Sequence, residues 1–234
     1  MQQRSKRYRE AVKAVGADLK KPQDMSAAAT LVKKMAKVKF TESVDLSVHL
    51  NLDTKKADQQ FRGSFSFPNG TGKAVRVIVF VDDGEKVAGA LAAGAVKAGG
   101  EALVDEVSGG FMDFDVAIAT PKMMRFVGKL GKVLGPRGLM PTPKAGTVIE
   151  DVATAVKEFK GGKTEYRSDA AGNVHIRVGT TVFTETQIAE NATAFLTHVA
   201  EHRPSSVKGE FIKSVTLSST MGPGVRVAFA QSKE

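Results

Sequence analysis

Near the C-terminus, Leu217-Ser218-Ser219-Thr220-Met221-Gly222-Pro223-Gly224 puts three hydroxyls at the end of an alternating strand and then turns on Met-Gly-Pro-Gly. Small hydroxyl residues and exposed backbone amides can approach a folded RNA closely and bond its 2′-hydroxyls and phosphates. The same pattern is equally that of a hairpin turn with polar tips. Lys39-Phe40-Thr41-Glu42-Ser43 sets an aromatic beside a lysine at a helix–strand junction. Phe40 there could stack on a sugar or base, or belong to a core. Gly128-Lys129-Leu130-Gly131-Lys132-Val133-Leu134-Gly135-Pro136-Arg137-Gly138 could contact phosphate through Lys129, Lys132 and Arg137, or form an ordinary surface loop.

Other chemistries find less support. Gly70-Thr71-Gly72-Lys73 is followed by Ala74 and then a strand, so it lacks the spacing and the helix of a phosphate loop. The glycines of 128–138 do not form a dinucleotide fingerprint. Asp113 and Asp115 have no neighbouring base, nucleophile or metal cluster, and capping or turn roles suffice for them. His198 and His202 stand at the i, i+4 spacing of helical metal ligands, with no third ligand nearby. The chain has no Cys, which removes disulfides, thiolate metal sites and a cysteine nucleophile. No cofactor is expected.

Charge points to a polyanion. The net charge is +9, and residues 1–39 hold 11 Lys and Arg against 3 Asp and Glu. The rest of the chain is nearly balanced. A basic segment of this kind attracts nucleic acid, because each neutralised phosphate releases a condensed counterion. A solvated helical surface is the plainer account. Aromatic residues are only 6% and Trp is absent, so stacking of many bases is not expected. No stretch approaches the roughly 18 apolar residues of a membrane span, and the polar start has no apolar leader. A soluble, cytoplasmic protein is expected.

The elements that must position these residues fall into two styles. Residues 5–15 and 26–38 read as helices, the second starting at a Ser26 N-cap. Val44 to Leu50 and Phe61 to Phe67 alternate strictly, as strands with one buried face do. Asp53 caps a short turn through Asp58. After Pro68 to Lys73 the pattern changes. Val75-Arg76-Val77-Ile78-Val79-Phe80-Val81 is nearly continuous in apolar residues, the mark of a strand covered on both faces. An Ala-rich helix over 84–98, a short strand near Leu103, a buried strand over 114–119 and helices over 122–130 and 150–159 follow. That alternation predicts a parallel α/β unit. Beyond Lys160-Gly161-Gly162-Lys163 the first style returns. Thr164 to Arg167 and Val174 to Val178 look like a hairpin turning at Asp169 to Asn173. A helix over 185–202 and strands over 214–218 and 225–229 complete the chain.

The simplest organisation is an inserted domain: 1–70 and 161–234 form one α+β domain, and 71–160 forms a second. Gly70, Gly72, Gly161 and Gly162 would form a hinge in the paired connections. One continuous domain with glycine turns is the alternative.

In order along nearly the whole chain, several stretches resemble the family of ribosomal protein L-one of the bacterial type. They include Phe40 to Leu46, Arg62-Gly63 with Pro68 to Lys73, Asp115 to Pro121, Gly128 to Pro141, Lys144 to Val148, and Ile212 to Pro223. The resemblance implies an α/β protein of two domains, an α+β two-layer domain built from both chain ends and an inserted Rossmann-like parallel domain. It implies binding of large-subunit rRNA to form the mobile stalk near the exit site, on a ribosome in the cytoplasm. It further implies help in releasing deacylated exit-site tRNA, repression through the messenger of its own operon, and no enzymatic activity. The expected RNA contacts are Lys39, Phe40, Glu42, Ser43, Asp169, Ser219, Thr220, Met221 and Gly222, and the protein is expected to be monomeric off the ribosome. The chain departs from the family at 99–113, which is shorter than the usual loop, and at Phe111-Met112, where Trp is common. Two rivals stand beside this: an α/β enzyme holding a nucleotide in the inserted domain, and a general basic nucleic-acid binder.

Overall fold

The computed structural model describes residues 5–19, 21–56, 59–207 and 209–229. The first basic residues and part of the turn expected from Asp53 through Asp58 lie outside them. The chain divides into two compact units, Met1–Gly72 with Tyr166–Glu234, and Lys73–Glu165. It is a mixed α/β protein, with one antiparallel four-stranded sheet and one parallel three-stranded sheet.

Unit 1 begins with α1 (Lys6–Val15) and α2 (Met25–Met35). Its strands are β1 (Ser43–Leu50), β2 (Arg62–Ser66), and, after the excursion through unit 2, β7 (Asn173–Thr180), β8 (Ile212–Ser219) and β9 (Val225–Val227). The long helix α8 (Glu185–Glu201) lies between β7 and β8 in sequence and starts with a capping box of Thr184 and Gln187. The sheet runs β7-β1-β8-β9. Strict alternation in β1 sends Val44, Leu46, Val48 and Leu50 into a core with Val32, Ile188, Phe195, Leu196, Val215 and Leu217. Each of the larger side chains contributes ~1.5–3 kcal/mol by leaving water. Only this face of the sheet supplies core residues.

Unit 2 holds β3 (Val77–Phe80), α3 (Gly84–Ala92), β4 (Lys97–Gly99), α4 (Glu101–Ser108), β5 (Val116–Ala119), the short helices α5 (Met124–Val127) and α6 (Gly131–Leu134), and α7 (Val152–Lys160). Its sheet is parallel in the order β4-β3-β5. Successive β3 residues face opposite ways: Ile78 and Phe80 pack with Val104, Val107 and Leu134, while Val77 and Val79 pack with Ala90, Val156 and Phe159. Two cores on one sheet account for the continuous apolar run.

Several expected elements are redrawn. The Ala-rich helix stops at Ala92, because Gly94 takes a φ of 97° and lets the chain turn back into β4. Leu103 is helical, since Leu103, Val104 and Val107 share the buried side of α4. The helix expected over 122–130 is interrupted and resumes as α6, and α2 starts before Ser26, at the cap Asp24. The hairpin expected around Asp169 does not form a ladder. β6 (Lys163–Arg167) pairs with β2, β7 pairs with β1, and only the bridge Ser168–Val174 joins the two arms.

Candidate nucleic-acid interface

The two chain ends meet where β1 begins and β8 finishes, with Val44 opposite Ser219. A cluster of hydrogen bonds ties them. The Met221 amide donates to Glu42 Oε2 at 2.9 Å. The Ser43 amide donates to Thr220 Oγ1 at 3.0 Å, and the Thr220 amide donates to the Ser43 carbonyl at 3.1 Å. The two hydroxyls lie 2.9 Å apart, and Ser43 Oγ also donates to Asp45 Oδ2 at 3.0 Å. Glu42 is buried. It therefore acts from behind, holding the Thr220–Gly222 turn by a charge-assisted bond. Gly222 packs so closely that a Cβ would lie 2.5 Å from Ser219 Oγ, so this turn admits no side chain there without a shift. Ser219 Oγ is buried and has no hydrogen-bond partner among the described residues.

What this end offers outward is apolar and polar together. Phe40 is 54% exposed and Met221 45% exposed, with Lys39 and Thr220 also on the surface. Phe40 is thus not a core residue. Two large apolar side chains held in water by a rigid turn can serve as stacking and packing surfaces for unstacked bases.

Asp169 sits elsewhere. Its turn lies beside Asn173, which pairs with His49 at the far end of β1. Six residue steps from Ser43 to His49 make the two ends about 20 Å apart. Asp169 Oδ1 accepts from the amides of Ala171 (2.9 Å) and Asn173 (2.7 Å), and Asn173 Nδ2 donates to Oδ2 at 3.0 Å. Those bonds, the Asn173 side chain first, hold its carboxyl down at about 2. Its carboxylate is spent on shaping the turn. Beside it, Lys55, Arg62 and Arg167 line an open cleft of about 420 Å³, where phosphates would meet cations.

Between the two ends lies a row of residues not singled out from the sequence. The uncovered face of the sheet carries Asp45, Ser47 and His49 from β1, Asn173, His175 and Arg177 from β7, Ser214, Thr216 and Ser218 from β8, and Arg226 from β9. The register sets Asp45 between Arg177 and Ser218, and Ser47 between His175 and Thr216. Ser47 Oγ and His175 Nδ1 lie 2.9 Å apart, as do His49 Nδ1 and Asn173 Oδ1 at 2.8 Å. The signal was present as the polar half of each alternation. It could be assembled only once β1 was known to lie between β7 and β8.

The remaining candidates have structural explanations. Arg76 bonds both Asp113 and Asp115, and Lys73 bonds Asp115 at 2.8 Å. The Lys73 bond is the main reason the Asp115 carboxyl lies down at about 2. His198 Nε2 meets the Tyr166 hydroxyl at 3.0 Å, and burial pushes its pKa below the usual range. Among the described residues no group of three or more His, Asp or Glu is placed to hold a metal. In the 128–138 stretch, Leu130 and Leu134 are buried in unit 2, while Lys129, Lys132 and Arg137 are exposed. Gly70, Gly72 and Gly162 take positive φ, whereas Gly161 is right-handed at −71°. A Cβ on Gly72 would lie 2.8 Å from the Phe183 ring.

Unit 1 thus presents a sheet with one open polar face, with Phe40 and Met221 exposed where β1 begins and β8 ends. The profile of the ribosomal protein L1p/L10e family matches residues 32–223. The chain is 52% identical over 228 residues to the large ribosomal subunit protein uL1 of Thermosipho melanesiensis, covering 97% of each chain. It is 49% identical to that of Fervidobacterium nodosum, covering 97% of this chain and 96% of the other. It is 50% identical to that of a Nocardioides species, covering 96% and 92%. The chain belongs to the ribosomal protein L1p/L10e family, a family of structural, non-enzymatic proteins.

Proposed function

We propose that the chain is a structural constituent of the large ribosomal subunit, in the cytoplasm, and that unit 1 binds large-subunit rRNA through the open face of its sheet. The observation that carries this is the junction of Glu42 and Ser43 with Thr220 and Met221, which stations Phe40 and Met221 in water on a rigid rim. Phosphate attraction comes from Lys39 and, at the Asp169 end, from the cleft of Lys55, Arg62 and Arg167. Shape and 2′-hydroxyl contacts come from the Thr220 turn and the Ser and Thr row. Lys39, Phe40, Thr220, Met221 and Gly222 touch RNA in this account. Glu42, Ser43, Ser219 and Asp169 hold the backbone that does so.

The same face would take a similarly folded element in the messenger of the protein's own operon, which would repress its translation. On the ribosome the stalk would help release deacylated tRNA from the exit site. Gly70, Gly72, Gly161 and Gly162 would absorb the backbone changes this requires, with the protein monomeric when free. These assignments rest on the family and on the availability of one extended polar face.

Filter-binding titrations of the rRNA stalk fragment test the reading. Thr220→Ala and Met221→Asp should each weaken binding by about 1–3 kcal/mol relative to random duplex at equal salt. Unchanged affinity would defeat it. Little preference for the fragment over random duplex at equal salt would favour a general basic binder instead.

A further inference from the structure

Unit 2 contains a crevice with no part in the RNA surface just described. It measures about 320 Å³ and is lined by Val81, Asp82, Asp83, Lys86, Thr120, Pro121, Lys122 and Glu150, which is within the size range of small-ligand sites. Its position follows from topology. The first strand, β3, is central, β4 lies on one side and β5 on the other. The helices between them pack on opposite faces, α3 with one core and α4 with the other. The strand order therefore reverses between β3 and β5, and the crevice opens just past the carboxyl ends of those two strands. In open α/β sheets that is where ligands bind.

Most of the side chains there are unspent. Thr120 is only 6% exposed. It lines the crevice, and its hydroxyl forms no hydrogen bond among the described residues. Asp83 is already used, since it caps α3 by accepting from the Glu85 amide at 3.2 Å. Asp82, Glu150, Lys86 and Lys122 form no ion pair among the described residues. Gly100 leaves room beside Asp82, whose Oδ1 is 3.1 Å from where a Cβ would stand. The amino end of α3, nine residues long, faces the same crevice through Asp83.

Free carboxylates and free lysines in one crevice suit a ligand that carries both signs. Mg²⁺ is usually held by one or two carboxylates together with phosphate oxygens of the ligand, not by a cage of protein groups. We propose that this crevice binds the terminal phosphates of a nucleotide-sized ligand as their magnesium complex. Lys86 and Lys122 meet phosphate, Asp82 and Glu150 meet the metal through its water shell, and Thr120 donates to a phosphate oxygen. The site is one of binding only and does not depend on the RNA-binding reading of unit 1.

Calorimetric titration of the full chain with ADP tests it, run with Mg²⁺, with EDTA, and with Mg²⁺ alone. ADP with Mg²⁺ should bind, EDTA should weaken it at least tenfold, and Mg²⁺ alone should give no saturable heat. Lys86→Ala with Lys122→Ala should weaken ADP at least tenfold while circular dichroism stays unchanged, and Thr120→Val should weaken it several-fold. Arg62→Ala in unit 1 should have no effect. Absence of binding at millimolar ADP would overturn the proposal. So would affinity indifferent to the two lysines, or the dinucleotide ApA binding as tightly as ADP, which would mark an internal phosphodiester contact instead. If the lysine pair unfolds the chain, Asp82→Asn with Glu150→Gln should abolish the Mg²⁺ dependence alone, and its persistence would also count against the site.

Discussion

The two larger sheets of this protein solve opposite problems. In unit 1, helices cover one face and the other is left to water, so β1 alternates and its polar half is Asp45, Ser47 and His49. In unit 2, helices cover both faces, so all of β3 from Val77 to Phe80 is buried. A half-covered sheet can offer a broad surface about 20 Å long to a folded partner. A fully covered sheet can offer only the ends of its strands. Function can therefore sit on the open face in unit 1 and at the strand ends in unit 2.

The difference can be broken with single substitutions. The largest effect is expected from Val79→Asp, which buries an unpaired carboxylate in unit 2 and should cost more than about 4 kcal/mol. Urea unfolding should show it. The matched change Ser47→Val on β1 should alter stability by less than about 0.5 kcal/mol, since that position faces water. A large loss there would mean the face is covered after all.

Glu42→Ala ranks next. It strips the acceptor from the Met221 amide and removes a buried charge-assisted bond, so unit 1 should lose about 1.5–3 kcal/mol and rRNA affinity should fall with it. Stability lost with full RNA affinity would separate the turn from recognition.

Asp115→Asn should be smaller, about 1 kcal/mol near neutral pH, because Lys73 and Arg76 are half exposed and screened. Its carboxyl is lowered to about 2 in the folded chain. A depressed carboxyl stabilises fully above its unfolded pKa and stops doing so as pH falls through the folded value. The gap between the unaltered chain and Asp115→Asn should therefore close between roughly pH 4 and pH 2. A gap that stays constant down to pH 2 would contradict the ion-pair assignment.

How much of this could be read in advance depended on range. Alternation in Val44 to Leu50 and the apolar run from Val75 to Val81 are local, and β1 and β3 fall on them, β3 occupying only Val77 to Phe80 of its run. The end of α3 was missed because alanine gives no strong period, and Gly94 decides the matter by its backbone. The hairpin at Asp169 misled because a tight turn was present while its arms took other partners, β2 and β1. Glu42, Ser43, Thr220 and Met221 all stand out in the sequence, but nothing local says that Met221 bonds Glu42 and Thr220 bonds Ser43 across well over a hundred positions. The buried role of Glu42 and the polar row through Ser47 and Thr216 exist only in the assembled sheet.

Hydrogen exchange with and without the rRNA stalk fragment tests the central claim most directly. RNA should slow amide exchange at 40–49 and 214–222 and around Asp169, and leave the strands of unit 2 unchanged. Protection confined to α1 and α2, or to unit 2, with 40–49 and 214–222 exchanging as before, would contradict it.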